Sequence, residues 1–357
     1  MKYGLYYFKN THNIGDDIWA YAQSLFYPQI DYLIDNTTLY KFKSADNEDV
    51  ATIIGAFVEP YNYEYCFMPP PNIIPFFIGA YFRSTMWEVL RNKIIQTYLK
   101  AYDPIGIRSM AHIDSFAEIG IKAYYSSCIT LTLPAFEKKE GGYICLVDVP
   151  EFIVDYVKNK VGNRFEIKVM THLLPQLGES TYLKHRELTI DERFDIVKEY
   201  VQIYSNAHCI VTNKLHCALP CLTQNTPVLL ALPDDGYGIP DMDTRISDHL
   251  ELLNVNRYED FAENNVEFDF INPPPNPDRY LSYREELIKA CEGFIKDCEN
   301  KIIVNKNPYT ESERQEYLIE ILQQKVQQLK FVVDNKNSSL QEALKNNTGT
   351  DVNFVKE

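Results

Sequence analysis

Lys214 and His216 stand two residues apart in Val211-Thr212-Asn213-Lys214-Leu215-His216-Cys217-Ala218-Leu219-Pro220. One is a fixed cation, and the other can move protons near neutral pH. An apolar run, Cys209 to Val211, leads in. A short helix-like apolar stretch leads out, and Pro227 to Leu232 follows as a second strand. The unit reads strand, turn, helix, strand. In an open parallel sheet, ligands sit beyond the carboxyl ends of the strands, where helices begin with free N–H groups. The expected chemistry is therefore anion binding beside a proton-transfer group, with Asn213 in the same turn. Positions two apart do not share a helix face. Lys214 and His216 converge only if one of them sits in the turn. Taken alone, His216 reads equally well as a buried core histidine, and Lys214 as a surface lysine.

Other polar groups fall at predicted strand ends. Asp148 ends one strand, His172 the next, and Asp234 and Asp235 a later one. His172 is a candidate second imidazole. Near the start, Asn13-Ile14-Gly15-Asp16-Asp17 joins a strand to a helix, with the glycine suited to a tight turn. Two readings stay open for Asp16: a helix cap that accepts backbone N–H groups, or a cleft carboxylate that grips a sugar hydroxyl or takes its proton. Asp17 could serve likewise, with Asn13 beside it. Arg108 ends a strand in Gly106-Ile107-Arg108-Ser109. It could fork onto a phosphate or carboxylate, or brace the domain through an ion pair.

These residues need elements to hold them. Strands are predicted at Lys2 to Phe8, Ala51 to Phe57, Ile73 to Tyr81, Pro104 to Arg108 and Lys122 to Tyr125. Helices are predicted from Asp16 to Phe26 and from Thr85 to Lys100. Gly141-Gly142 marks a break. Strands at Tyr143 to Val147, Phe165 to Thr171, Cys209 to Thr212 and Val228 to Leu232 then alternate with helices, including Ile190 to Ser205 and Lys214 to Leu222. Repeated β-α-β units mean parallel sheets covered by helices. Two such halves predict an α/β protein with two Rossmann-like domains facing across a cleft, at 1–138 and 139–300. A helical tail follows at 301–357. Tyr280 to Asn300 reads as a helix, and Asn346 to Glu357 as disordered. Within 311–344, Ile319, Leu322, Val326, Leu329 and Val333 form an apolar seam that suits either self-association into a homo-oligomer or packing back on the chain.

A chain of 357 residues is long enough for two cores. A net charge of −15 argues against nucleic acid as a partner, which needs a basic face. No apolar run reaches membrane-spanning length. The eight cysteines lack paired spacing and read as reduced thiols in a cytoplasm. No dinucleotide fingerprint, P-loop or GxSxG elbow is present. Asp241 and Asp243 have no matching metal-ligand partner.

In order along the chain, Asn13 to Asp17, Gly106 to Ser109, Ser127-Cys128-Ile129-Thr130-Leu131, Thr212 to His216 and Thr226-Pro227-Val228 resemble the polysaccharide pyruvyl transferase family. The set covers roughly the first 235 residues. The resemblance implies two facing domains similar to the GT-B glycosyltransferases. It also implies transfer of pyruvate from phosphoenolpyruvate onto two hydroxyls of a sugar acceptor, as a cyclic ketal, with no cofactor or metal. The family usually has arginine where this chain has Lys214, which keeps the charge but not the planar fork. On this reading His216 is the general acid or a phosphate contact, with His172 as second imidazole. Lys214, Arg108 and Asn213 hold the donor, while Asp16, Asp17 and Asn13 face the acceptor and Asp16 is the base. A lipid-linked acceptor would bring the protein to the inner membrane surface. The alternatives are a GT-B glycosyltransferase using a nucleotide sugar, and a non-catalytic scaffold acting through its C-terminal helix.

Overall fold

The computed structural model describes residues 1–55, 57–58, 68–84, 86–139, 142–174, 187–236 and 240–348. The first half carries strands β1 (Lys2–Tyr7), β2 (Tyr32–Asp35), β3 (Val50–Ile54), β4 (Phe57–Val58), β5 (Ile73–Phe77), β6 (Tyr81–Phe82), β7 (Ile105–Ile107) and β8 (Ala123–Tyr125). Its main sheet runs β2-β1-β3-β5, all parallel. A parallel bridge from Ala80 to Ile107 continues it into the β7–β8 pair. The second half carries β9 (Ile144–Val147), β10 (Ile167–Met170), β11 (Cys209–Thr212), β12 (Val228–Leu232) and β13 (Asn254–Arg257), in the order β10-β9-β11-β12-β13, again all parallel. In both halves the chain steps from the first strand to one side and then returns to the other. That switch opens a crevice at the carboxyl ends of the strands. The protein is thus α/β, with two Rossmann-like halves and a helical C-terminal extension.

Burial explains which runs became central strands. Every residue of β3, β9, β11 and β12 is buried, as strands covered on both faces by helices require. The helices are α1 (Ile14–Ser24), α2 (Met86–Leu90), α3 (Lys93–Ala101), α4 (Ala111–Glu118), α5 (Glu151–Val161), α6 (Ile190–Asn206), α7 (Leu215–Thr223), α8 (Pro240–Ser247), α9 (Tyr258–Ala262), α10 (Tyr280–Glu299) and α11 (Glu311–Thr348). α6 starts on a capping box between Thr189 and Glu192. α1 buries nearly every residue from Ile14 to Gln23. It can do so because it lies between the halves, packed on α6, α7 and the 3-10 turn at Ile129–Thr132.

Several expected boundaries shift. The single helix expected over 85–100 is two, because Asn92 starts α3 afresh by accepting the Ile94 N–H at 2.8 Å. The strand expected to reach Tyr81 stops at Phe77, before Gly79 at φ +68°. The strand expected to reach Phe57 ends at Ile54. Thr85, Gly141 and residues 349–357 lie outside the described residues.

After β13 the chain returns to the first half. Phe294 of α10 stacks on Phe76 at 4.8 Å, and Arg284 donates to the carbonyls of Leu131 and Leu133. Asn305 donates to Asp49 Oδ1 at 2.9 Å, and the Tyr309 hydroxyl to the Pro69 carbonyl at 2.6 Å. Among the described residues no helix is long and apolar enough to cross a membrane.

Candidate active site

The start of α1 is built by Asn13, not by Asp16. The Asn13 side chain accepts the Gly15 N–H at 3.0 Å as the N-cap. Asp16 is left with its carboxylate free for other work, and Thr11 Oγ1 donates to it at 2.5 Å. Main-chain bonds stitch the halves together here: Ile14 N–H to the His172 carbonyl and Leu174 N–H to the His12 carbonyl, both 2.9 Å. Gly15 lies inside the helix rather than in a tight turn, and its role is steric. A Cβ there would sit 3.1 Å from His216 Cβ and 3.2 Å from His216 Nδ1. Glycine therefore lets the first turn of α1 approach the first turn of α7.

Arg108 reaches into the same junction from the end of β7. It is fully buried. Its Nη1 lies 3.2 Å from His216 Nε2 and 3.6 Å from Cys128 Sγ, and its guanidinium stands over the Tyr81 ring at 5.6 Å. Arginine only donates, so Nε2 of His216 accepts and the neutral ring carries its proton on Nδ1. Burial, then the charges of Arg108 and Arg245, hold the His216 pKa well below the ordinary histidine range. His216 thus rests as a neutral acceptor. The acid role expected of it does not fit this state, because its Nε2 has no proton to give.

Arg245, near the end of α8, is the second cation of the cluster. Burial, then the like charge of Arg108, lowers its pKa to about 10, while Asp16 opposes the change. Burial raises Asp16 to about 6, with Thr11, Arg245 and Arg108 favouring its ionised form. His249 is buried, and its Nδ1 lies 3.0 Å from the Arg245 carbonyl. A carbonyl only accepts, so Nδ1 holds the proton and Nε2 is bare. Among the described residues that Nε2 has no hydrogen-bond partner. Burial, then Arg108, takes the His249 pKa down to about 3. The neighbouring Asp248 fastens this segment to the first half: its carboxylate accepts the Met110 N–H and its carbonyl the Tyr125 hydroxyl, both at 2.8 Å. Cys128, also buried, accepts from Thr130 Oγ1 at 3.3 Å and lies 3.8 Å from His216 Nε2.

A buried guanidinium, a half-buried one, a carboxylate and two neutral imidazoles thus meet where the halves touch. Residues 88–236 match the family model for polysaccharide pyruvyl transferase. Arg108, Cys128, His172 and His216 lie inside the pyruvyl transferase match, whereas Asp16, Arg245 and His249 lie outside it. No curated protein matches the chain. Among solved structures, the chain is similar to the Klebsiella pneumoniae subsp. pneumoniae NTUH-K2044 protein KP1_0663, with 9% identity, 64% of this chain and 83% of that one covered, and a TM-score of 0.34. It is also similar to CalG4, the calicheamicin glycosyltransferase, with 11% identity, 71% and 67% covered, and a TM-score of 0.32. Likenesses of this size carry nothing about chemistry.

Of the other expected residues, His172 acts electrostatically on His216 and Asp17 on Asp16, while each also has partners of its own. Lys214 is the N-cap residue of α7, in extended conformation, which meets the condition that it sit in the turn. Its N–H donates to Thr212 Oγ1 at 3.0 Å. Lys214 is half-buried, and among the described residues its ammonium makes no ion pair or hydrogen bond. Asn213 donates to the Tyr258 hydroxyl at 3.2 Å, within the second half. The buried His172 shares a 2.6 Å contact between Nε2 and the Tyr204 hydroxyl, and its N–H donates to Asp148 at 2.9 Å. It thereby holds the interlobe stitch. Asp17 is buried in an ion pair with Arg193, which also donates to the Phe8 carbonyl at 2.8 Å. That pairing occupies the carboxylate expected to face the acceptor.

Arg245 and His249 were not anticipated. The signal available was their spacing of four in Arg245-Ile-Ser-Asp-His249, one face of a helical turn following a strand. Cys128 was visible only as part of a motif.

Proposed function

We propose that the chain transfers pyruvate from phosphoenolpyruvate to two hydroxyls of a sugar in a polysaccharide or its precursor. The observation that carries this reading is the pair Arg108, buried, and Arg245, half-buried, two like charges close enough to act on each other with Asp16 beside them. An anion bearing a phosphate and a carboxylate suits two forked guanidiniums. Lys214 would add charge at the start of α7, where free N–H groups also favour anions.

The chemistry balances as follows. The enol carbon C3 gains a proton, and the first hydroxyl oxygen attacks C2. The bond from C2 to the phosphate oxygen breaks, and the second hydroxyl oxygen attacks C2. Of the two hydroxyl protons lost, one matches the proton gained at C3 and one leaves with phosphate. No electrons are transferred, so the reaction asks for no redox cofactor. Asp16, with a pKa of about 6, is poised near the operating pH to take an acceptor proton. His216 orients Arg108. The thiol pattern fits a reducing compartment, and a lipid-linked acceptor would bring the protein to a membrane surface.

The deciding experiment is phosphate release from phosphoenolpyruvate across a panel of glycans, beside thermal shift with phosphoenolpyruvate and with nucleoside diphosphates. Acceptor-dependent release is expected. Stabilisation by nucleoside diphosphates alone would move the chain to the glycosyltransferase reading. Arg108→Ala and Arg245→Ala should each weaken phosphoenolpyruvate binding at least about tenfold, near 1.4 kcal/mol, by titration calorimetry.

A further inference from the structure

α11 begins on the body and then leaves it. Arg314 donates to the Tyr40 carbonyl at 2.8 Å, and Tyr317 is buried. Beyond Ile321 every described side chain of the helix is exposed. Yet Ile319, Leu322, Val326, Leu329, Val333 and Leu340 each expose 43–54% of their surface. They are spaced by alternating threes and fours up to Val333, and Leu340 follows one heptad later. This is the 3.5-residue repeat of a coiled coil, which a helix lying against a flat body does not need. With Ile319 at the a position, the a sites read Ile319, Val326, Val333 and Leu340. The d sites read Leu322, Leu329 and Lys336.

β-Branched residues at a with leucine at d select two parallel helices over three or four. We propose that residues 319–340 pair in register with the same residues of a second copy, as a parallel two-stranded coiled coil. The register is self-complementary, since each a residue meets its own copy. The paired stretch is about 33 Å long. Six side chains on each helix, with the flanking stems of Gln323 and Lys330, bring roughly 1,000 Å² out of water, the lower end of what a specific pair of chains needs. Lys336 at d penalises slippage, because a one-heptad shift sets it against Leu329 of the other chain. Its long stem lets the ammonium reach water in the aligned register.

The full-length protein is tested by light scattering at micromolar concentration. The expected mass is twice 41.5 kDa, falling to a single chain in the double variant Val326→Asp, Leu329→Asp with its melting temperature kept. Val326→Cys should form an interchain disulfide on mild oxidation, since a sites face each other only in the parallel register. A monomeric wild type overturns the proposal, and so does a doubled mass that survives the double variant. A mass of three or four chains overturns the two-stranded form. Seam-dependent dimers that fail to cross-link overturn the parallel one. None of these outcomes depends on the reaction proposed above.

Discussion

Folding moves Asp16 and His249 away from their ordinary proton affinities, and the two changes act on stability at different pH. For His249 the folded value is about 3 against 6.5 for the free side chain. Below pH 6.5 the unfolded chain takes up a proton that the folded chain refuses, so stability is lost as pH falls, by about 1.4 kcal/mol per unit until pH 3. His249→Asn keeps a donor for the Arg245 carbonyl and has no imidazole to charge. Its denaturation midpoints should fall less steeply than wild type between pH 6 and 4, and an unchanged slope would refute the burial argument. Asp16 acts oppositely. Its folded value is about 6 against 3.8, so the cost of its charge is absent below pH 3.8 and complete above pH 6. Asp16→Asn should stabilise the fold by on the order of 2–3 kcal/mol at pH 8 and not at pH 4, while turnover drops. A fold weakened at both values would instead mean that the carboxylate is structural. At this scale the sequence spoke unevenly. His216 and Arg108 announced themselves at strand ends. Arg245 and His249 did not, because their standing comes from α8 crossing back onto the first half, a contact that no local pattern encodes.

Elements were legible where burial was uniform. β3, β9, β11 and β12 are continuous apolar runs, and the eye finds them at once. β2 and β13 went unpredicted because they are short edge strands, Tyr-Leu-Ile-Asp and Asn-Val-Asn-Arg, whose mixed character looks like loop. Helix starts were misjudged by two residues at α1, since Asn13 and Asp16 both make good caps and only the Asn13 side chain accepts a backbone N–H of the first turn. Gly15 shows the limit most clearly. Its sequence context suggests a turn, whereas its reason is the proximity of His216, two hundred residues on. Gly15→Ala should cost about 1–3 kcal/mol and displace the imidazole from Arg108. Chemical denaturation measures the first effect, and the ring-nitrogen chemical shifts of His216 measure the second. An alanine variant indistinguishable from wild type in both would show that α1 and α7 have room to spare.

For the whole molecule, the two parallel sheets were readable, because alternating β and α patterns permit little else. The return of α10 to the first half was not, since the sequence says only that a helix follows a proline-rich loop. That return means the chain passes between the halves twice, and Arg284 joins the passages by donating from α10 to the carbonyls of Leu131 and Leu133 at the first crossing. Arg284→Ala should speed amide exchange around 129–136, read by mass spectrometry, with little change at β9 and β11. Uniform acceleration would mean global loosening instead. Pinned together as they are, these two passages act as one strap: neither can shift without dragging the other, so the halves are held in step along the side where Arg284 sits.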